Sequence, residues 1–276
     1  MTSPDSAPPD PPAAAAAPSE SAPQTGDAVK PPKPPRIWKF WGTLGWSLVL
    51  FAVMNVASLI AVFLVLYWKQ IDPMTPFKQL EPILTGGTAM ALNSALGFVP
   101  LMLTVMLAVR LARQRLADYL ALRWPSWRHA AIFLGAMALL LPMGDAFASL
   151  AGKPITPDVI VHAYRSARAD GTLWLFGLAL VITAPIGEEI IFRGFIYRGL
   201  SESWLRPVGA VIVSAILFAV IHTQYDWFFM AQVMMIGLLL GVARAASGSL
   251  LLTIMMHALH NSAAFVQVAW HANVAP

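Results

Sequence analysis

The sequence predicts an all-α protein that lies in a lipid bilayer as a polytopic bundle of about seven transmembrane helices. Of its 276 residues, 58% are hydrophobic and only 12% are charged, whereas about a quarter of the residues of a typical soluble domain are charged. Apolar runs of roughly 20 residues, enough to cross about 30 Å of hydrocarbon, recur along the chain after its first 40 positions. Lipid offers no partner to backbone polar groups, so these runs must form helices.

Seven segments fit this description, and the ends of each are predicted only to within a few residues. They lie at 44–67, 84–109, 129–149, 172–198, 207–223, 228–246 and 249–270. The chain is accordingly expected to consist of a tail over residues 1–40, a first group of membrane helices over 41–170, and a second group over 171–270 that carries the polar motifs.

The tail is expected to be disordered because it is rich in proline and alanine. Half of the 22 prolines fall within the first 36 residues, in stretches such as PPDPPAAAAAP and KPPKPPR. Such a composition buries too little apolar surface to offset the entropy cost of folding, and it favours a partly polyproline II chain. No early charged end leads into an apolar core, so the tail does not resemble a signal peptide.

Positive charges beside the spans predict the orientation in the cell membrane. Lysine and arginine precede the first span and follow the second, and the net charge is +4. Because these residues accumulate on the cytoplasmic side, the N-terminus is expected inside the cell and, after seven spans, the C-terminus outside. The positions of these residues beside the spans account for the positive net charge, so no nucleic-acid partner is needed to explain it.

The segment RLADYLALRWPSWR after the second span is expected to be an interfacial amphipathic piece or a plain connecting loop.

The fourth span contains PIGEEIIFRGFIYRG, in which two carboxylates and an arginine stand in an apolar stretch. Each charge there is costly, so such groups normally pair or take part in chemistry. Glu189 and Arg193 are four residues apart on one helix face and are expected to form an ion pair. Glu188 is rotated away by about 100° and is left free to act as a general base on water. The alternative is a structural network of all three groups that locks helices together.

Two further motifs place polar groups on later spans. FAVIH ends the fifth span at His222, and HALHN in the seventh puts His257 and Asn261 four residues apart on one face. His260 is turned away by about 60°, and it is expected, like His271, to be a hydrogen-bonded packing residue. The chain contains no cysteine, so any hydrolytic chemistry must use other side chains.

Glutamate, two histidines and an asparagine together meet the needs of peptide hydrolysis. They can position a water molecule, deprotonate it, and donate hydrogen bonds to the oxyanion of a tetrahedral intermediate. A zinc site formed by Glu188, His222 and His257 is chemically possible as well, since two histidines and one carboxylate can hold catalytic zinc. A fifth span that starts at Pro207 would carry His222 over about 20 Å inward, deeper than Glu188. Tilted or broken helices would then have to bring the two together.

Three other polar residues stand in or beside the apolar runs without belonging to a motif, and they are discounted as site residues. They are Asn55, Asp145 and Asp226. Asp145 follows Pro142 and Gly144 within the third span and is expected to be a buried polar contact, the alternative being that it lines a substrate path.

Taken in order, GEEIIFRG, FAVIH and HALHN resemble the three motifs of the CAAX-protease and bacteriocin-processing family of intramembrane endopeptidases, which includes the type II CAAX prenyl endopeptidases. The resemblance covers roughly residues 170–265, and RWPSW before the third span is similar to a looser feature of the family. It implies a membrane-embedded peptidase whose partners are the lipid bilayer and a membrane-associated protein or peptide substrate.

The resemblance also implies a role for each matching position. The first glutamate and the histidine of the second motif activate water, the histidine and asparagine of the third stabilise the oxyanion, and the second glutamate and the arginine support the site. In this sequence the catalytic positions are Glu188, His222, His257 and Asn261, and the supporting positions are Glu189 and Arg193.

Two rival functions remain open beside the endopeptidase. A non-catalytic peptide-binding or immunity protein on the same scaffold would use the polar groups for recognition, and Glu188 would then be replaceable without loss. An ion or proton transporter would typically show internal repeats or paired broken helices. The sequence shows no repeat, and its intramembrane ionisable groups are concentrated after residue 180, which makes the transporter the less favoured of the two.

Overall fold

The computed structural model of the protein describes residues 34–274. Within this range the chain forms ten helices and no β-strand, which confirms the predicted all-α class. The helices are α1 Phe40–Trp68, α2 Phe77–Leu84, α3 Gly87–Leu111, α4 Leu116–Leu120, α5 Trp127–Leu150, α6 Asp158–Ala169, α7 Leu173–Ser201, α8 Arg206–Val220, α9 Trp227–Ser247 and α10 Leu250–Val274.

Each of the seven predicted spans coincides with one of these helices, within a few residues at either end. Five of them, α1, α3, α5, α7 and α9, are long and apolar enough to cross a membrane. Helix α8 has only 15 residues, which corresponds to about 22 Å and falls short of the roughly 30 Å of hydrocarbon. Helix α10 has 25 residues but carries the polar HALHN motif. The fold is therefore a multi-pass helical bundle, and the count of seven spans is not confirmed.

Helix α7 is continuous but not regular. Two π-helical stretches, Ala179–Thr183 and Ile190–Ile196, lie on either side of a short α-helical stretch, Ala184–Glu189. The helix is not broken at Pro185 or Gly187. Pro185 lies just after the first π-helical stretch, where the backbone hydrogen-bond pattern changes from π-helical to α-helical.

The main hydrophobic core forms around α7. Phe192 and Phe195 of this helix belong to one buried cluster with Val105 of α3, Phe218 of α8 and Leu250 of α10. Interiors of this kind are close-packed, so side chains on α7 are fixed by neighbours from several directions. The helix with the first motif is thus held by the helices that carry the second and third.

The predicted disordered tail falls mainly on residues 1–33, which lie outside the described residues. Closer to α1, the backbone N–H of Arg36 donates to the carbonyl of Ala112 at 3.0 Å. The indole Nε1 of Trp38 donates to the carbonyl of Ala108 at 2.9 Å. The segment just before α1 is therefore fastened to the last turn of α3.

Candidate active site

The four residues predicted to be catalytic line one cavity of about 380 Å³. Glu188 belongs to α7, His222 follows directly after α8, and His257 and Asn261 lie on α10. Side chains of α5, α6 and α9 also line it. Three motifs that are separated in the sequence therefore meet in space, although their catalytic roles remain predictions.

The predicted conflict in depth between Glu188 and His222 does not keep either residue from the cavity. The ring of Phe218 lies edge-on to His222 and to His257, with centroids 4.9 and 5.7 Å apart, and Nε2 of His257 lies 3.8 Å from Oε2 of Glu188. Both residues therefore line the part of the cavity around His257. They do so without a break in α7.

Glu189 and Arg193 form the predicted ion pair, and the structure shows that it is completely buried. Nη1 of Arg193 donates to Oε1 of Glu189 at 2.9 Å, and both side chains have no exposed surface. Nη2 donates to the backbone carbonyl of Gly237 on α9 at 2.9 Å. The guanidinium carbon also lies 4.5 Å from the centre of the Phe218 ring. The arginine thus fixes Glu189 and joins α7 to α9 and α8.

His257 connects the two adjacent glutamates. Its Nδ1 lies 3.0 Å from Oε1 of Glu189, and its Nε2 lies 3.8 Å from Oε2 of Glu188. An ionised carboxylate only accepts hydrogen bonds, so Nδ1 of His257 carries a proton and donates it to Glu189. The Glu188 side chain is 26% exposed, whereas that of Glu189 is 0% exposed. One carboxylate therefore supports the histidine from inside the protein and the other faces the cavity.

His222 is held in one orientation by its neighbours. Its Nδ1 lies 2.7 Å from the carbonyl of Phe218, which can only accept, so this nitrogen is the donor. The ring stacks on Tyr225 with centroids 5.9 Å apart and meets Phe218 edge-on at 4.9 Å. In the neutral ring Nε2 is then an acceptor, and it is available to a water molecule in the cavity.

Asn261 is anchored to the first π-helical stretch of α7. Its Nδ2 donates to the carbonyl of Leu180 at 2.8 Å. In the second π-helical stretch, the carbonyl of Arg193 accepts from Nε of Arg244 at 3.1 Å. A π-turn shifts the backbone acceptor by one residue, so it leaves a carbonyl available to another helix. The second N–H of the Asn261 amide is left for a ligand in the cavity.

Other polar residues also line the cavity. Asp145 of α5 accepts a hydrogen bond from Nε2 of Gln267 at 2.7 Å. Gln232 and His260 line it as well, and each has a buried nitrogen without a partner among residues 34–274. The prediction that His260 is a hydrogen-bonded packing residue is therefore wrong. Gln267 lies seven residues after His260, which places both side chains on the same face of α10. This spacing is the sequence pattern that indicates a second polar face on the helix.

The remaining discounted residues have structural roles. The Asn55 amide donates to a carbonyl of its own helix, and Asp226 caps α9 by accepting two backbone N–H groups. His271 is hydrogen-bonded, as predicted, through its Nδ1 to the carbonyl of Gln267 at 3.0 Å. None of the three lines the cavity.

A zinc site on Glu188, His222 and His257 is the alternative that the motifs leave open. In the part of the chain that the structure describes, no three His, Asp or Glu side chains are grouped so that they could hold a metal ion. Nδ1 of His222 and Nδ1 of His257 are both hydrogen-bonded inside the protein, which leaves one nitrogen on each ring as a possible ligand. Zinc on Glu188, His222 and His257 therefore stays a prediction.

The fold and the site together define a multi-pass helical membrane protein with a carboxylate, histidine and asparagine site. More particularly, residues 170–263 match the family of type II CAAX prenyl endopeptidases described as Rce1-like. All three motifs fall within the matched segment. The match confirms the resemblance to the CAAX-protease and bacteriocin-processing family that the motifs predicted.

Three curated bacterial proteins are similar to parts of this chain. An uncharacterized 24.3 kDa protein of Escherichia coli is 33% identical over 132 residues, which cover 47% of this chain and 54% of that protein. The UPF0177 protein YbdI of Lactococcus lactis is 43% identical over 56 residues, which cover 20% of this chain and 29% of that protein. The UPF0177 protein YxdF of the same organism is 31% identical over 51 residues, which cover 18% of this chain and 27% of that protein. The chain thus spans about half the length of the first relative and less of the other two. No solved structure matches the chain.

Proposed function

We propose that this protein is an intramembrane endopeptidase that hydrolyses a peptide bond in a membrane-associated protein or peptide. The family match over residues 170–263 supports a CAAX-type membrane peptidase in general. The observation that carries the proposal is the contrast between the two adjacent glutamates. Glu189 is buried against Arg193 and His257, whereas Glu188 faces a cavity that also receives the histidine and asparagine of the other motifs.

Glu188 and His222 activate the attacking water in this proposal. Glu188 accepts one proton from the water, while Nε2 of His222 accepts a hydrogen bond from the second and orients the oxygen. The water oxygen bonds to the carbonyl carbon of the scissile amide, and the carbonyl electron pair moves onto its oxygen. When the C–N bond breaks, Glu188 returns the proton to the leaving nitrogen. The products are a free carboxyl group and a free amine.

His257 and Asn261 stabilise the oxyanion. His257 is held through Nδ1 by Glu189, so its Nε2 has a fixed direction, and in the protonated ring it donates to the developing negative charge. The Asn261 amide is held by the carbonyl of Leu180, which orients its remaining N–H. Donors that are positioned before the reaction need no reorganisation when charge develops.

The test is a turnover assay on protein reconstituted in liposomes with a library of membrane-protein peptides, in which new termini are identified by mass spectrometry. Glu188→Gln should abolish turnover, and Asn261→Ala should reduce the rate on the order of 10²–10³-fold with substrate binding largely kept. The matched control is Glu202→Gln, because Glu202 is 46% exposed and pairs only with Arg198 among the described residues. This variant should keep wild-type turnover.

Full turnover by Glu188→Gln would contradict the catalytic assignment and favour the peptide-binding protein instead. A chelator provides a second arm of the assay. Activity should persist in its presence, since the described histidines and carboxylates do not gather into a metal site. Reversible inactivation by the chelator would instead indicate zinc on Glu188, His222 and His257.

A further inference from the structure

The cavity extends beyond the proposed catalytic groups, and a second carboxylate lies in that extension. Asp145 of α5 uses Oδ2 to accept a hydrogen bond from Nε2 of Gln267 at 2.7 Å. Its other oxygen, Oδ1, has no hydrogen-bond partner among residues 34–274. The wall of the cavity therefore presents a carboxylate that one neutral amide satisfies only in part.

The charge of Asp145 is not balanced by the described part of the chain. No lysine or arginine of residues 34–274 lines the cavity. Asp145 takes part in none of the ion pairs found within residues 34–274. The pairs between a histidine and a carboxylate in this range join His257 to Glu188 and to Glu189. A carboxylate inside a membrane protein normally faces a cation or a functional cavity. A cation that enters the cavity with the substrate would supply the missing partner.

Two neighbouring polar groups in the cavity wall also lack partners. Nε2 of Gln232 on α9 and Nδ1 of His260 on α10 are both buried, and neither has a hydrogen-bond partner among the described residues. Buried polar groups are usually hydrogen-bonded, so exceptions call for a ligand or a role. The backbone of an extended peptide offers the N–H and C=O groups that would satisfy them.

The position of Asp145 along the cavity sets its distance from the reacting bond. Its partner Gln267 lies six residues after Asn261 on the same helix, which corresponds to about 9 Å along the axis. An extended peptide advances about 3.3 Å per residue. A side chain that reaches Asp145 therefore belongs to a residue about three positions from the scissile bond. Because lysine and arginine have long side chains, the distance from the scissile bond can differ from this value by about one position in either direction.

We propose that Asp145 is a specificity-determining residue that binds a lysine or arginine side chain of the substrate, two to four positions from the cleaved bond. This proposal rests on the proposed function, because it takes the region of Glu188 and Asn261 as the place of cleavage. Asp145 would bind the cation through Oδ1, while Gln267 holds Oδ2. The substrates would accordingly be peptides or proteins with a basic residue near the membrane.

The experiment is a cleavage profile of the full-length protein in liposomes. The probe is a proteome-derived peptide library cut after glutamate, so that lysine and arginine remain internal. For the wild type, basic residues should be enriched two to four positions from the cleavage sites. Asp145→Asn should lower the ratio of basic to neutral cleavage roughly ten- to hundredfold, as expected for the loss of a hydrogen-bonded charge pair.

Two further variants sharpen the comparison. Asp145→Glu keeps the charge and should keep the preference. The matched control is Asp118→Asn, which removes an exposed carboxylate paired with Arg115 on the surface and should leave the profile unchanged. If Asp145→Asn does not fold, the wild-type profile still tests the proposal, because the absence of basic enrichment in it would overturn the role of Asp145.

The two proposals fail in different ways. Cleavage sites that persist in Glu188→Gln protein, or the absence of any cleavage by the wild type, would overturn the proposed function and with it the role of Asp145. Glu188-dependent cleavage without enrichment of basic residues would overturn only the role of Asp145. The same holds if folded Asp145→Asn protein keeps the wild-type ratio, since Asp145 would then serve only to hold Gln267.

Discussion

Replacing Arg193 with methionine would separate the contribution of the buried ion pair to folding from its contribution to the site. Methionine keeps much of the apolar stem but removes the hydrogen bonds to Oε1 of Glu189 and to the carbonyl of Gly237. It leaves the Glu189 carboxylate buried without its cation. Removal of one partner from a buried pair costs about 3–5 kcal/mol, and we expect the free energy of unfolding to fall by this amount.

The matched control is the double variant Glu189→Leu with Arg193→Met, in which both charges are removed. Apolar replacement of a whole buried pair is often neutral or stabilising by about 1–4 kcal/mol. The free energy of unfolding of the double variant should therefore be closer to that of the wild type than the free energy of unfolding of the single variant is. Its turnover should remain low nevertheless, because Glu189 no longer holds Nδ1 of His257.

Unfolding would be followed by circular dichroism as sodium dodecyl sulfate is added to the purified protein in mixed micelles. Turnover would be measured on the peptide library in liposomes. An Arg193→Met protein with wild-type stability and turnover would refute the reasoning. A double variant as unstable as the single one would show that the contacts of the arginine with Gly237 and Phe218 matter more than the unpaired charge.

Two further predictions concern regions outside the cavity. Burial raises the pKa of Asp170, but hydrogen bonds from Lys69 and Thr88 outweigh burial and hold this pKa below the ordinary value of 3.8. The stability that the ionised Asp170 contributes is therefore present above pH 3.8 and is lost as the pH falls through the lowered pKa. Thermal unfolding of Asp170→Asn should therefore depend less on pH below about 4 than that of the wild type, and identical acid dependence would contradict this. Reporter fusions before Arg36 and after α10 should lie on opposite sides of the membrane if seven segments cross it, and fusions in the loops on either side of α8 should show whether this short helix crosses.

The features that the sequence predicted correctly depend on local pattern. The long apolar helices follow from runs of hydrophobic residues, and the pair of Glu189 and Arg193 follows from a spacing of four residues on one helix. The meeting of Glu188 and His222 is different, since simple helix geometry placed them at different depths. The combined chemistry of the polar groups and the resemblance of three ordered motifs to a known family predicted one site, whereas helix geometry did not.

The extended part of the cavity could not be predicted, because its polar residues come from three helices and share no motif. Asp145, Gln232 and Gln267 lie on α5, α9 and α10, and they approach one another only when these helices pack. The rotation of about 60° between His260 and His257 predicts that only His257 belongs to the site. The cavity is lined by a broad face of α10 that includes both histidines. Whether His260 reaches the cavity therefore depends on the width of the cavity, which the sequence does not give.

The π-helical stretches of α7 connect the placement of the base with that of the oxyanion donor. Glu188 and Glu189 lie in the short α-helical stretch between two wide turns, where the predicted rotation between neighbours still holds. Each wide turn frees a carbonyl, and the one at Leu180 is bound by Asn261. The asparagine therefore fastens α10 to the turn of α7 that precedes Glu188. Exchange of Asn261 should consequently remove the oxyanion donor together with one hydrogen bond between α10 and α7, whereas Glu188→Gln removes the base and leaves the packing between these helices intact.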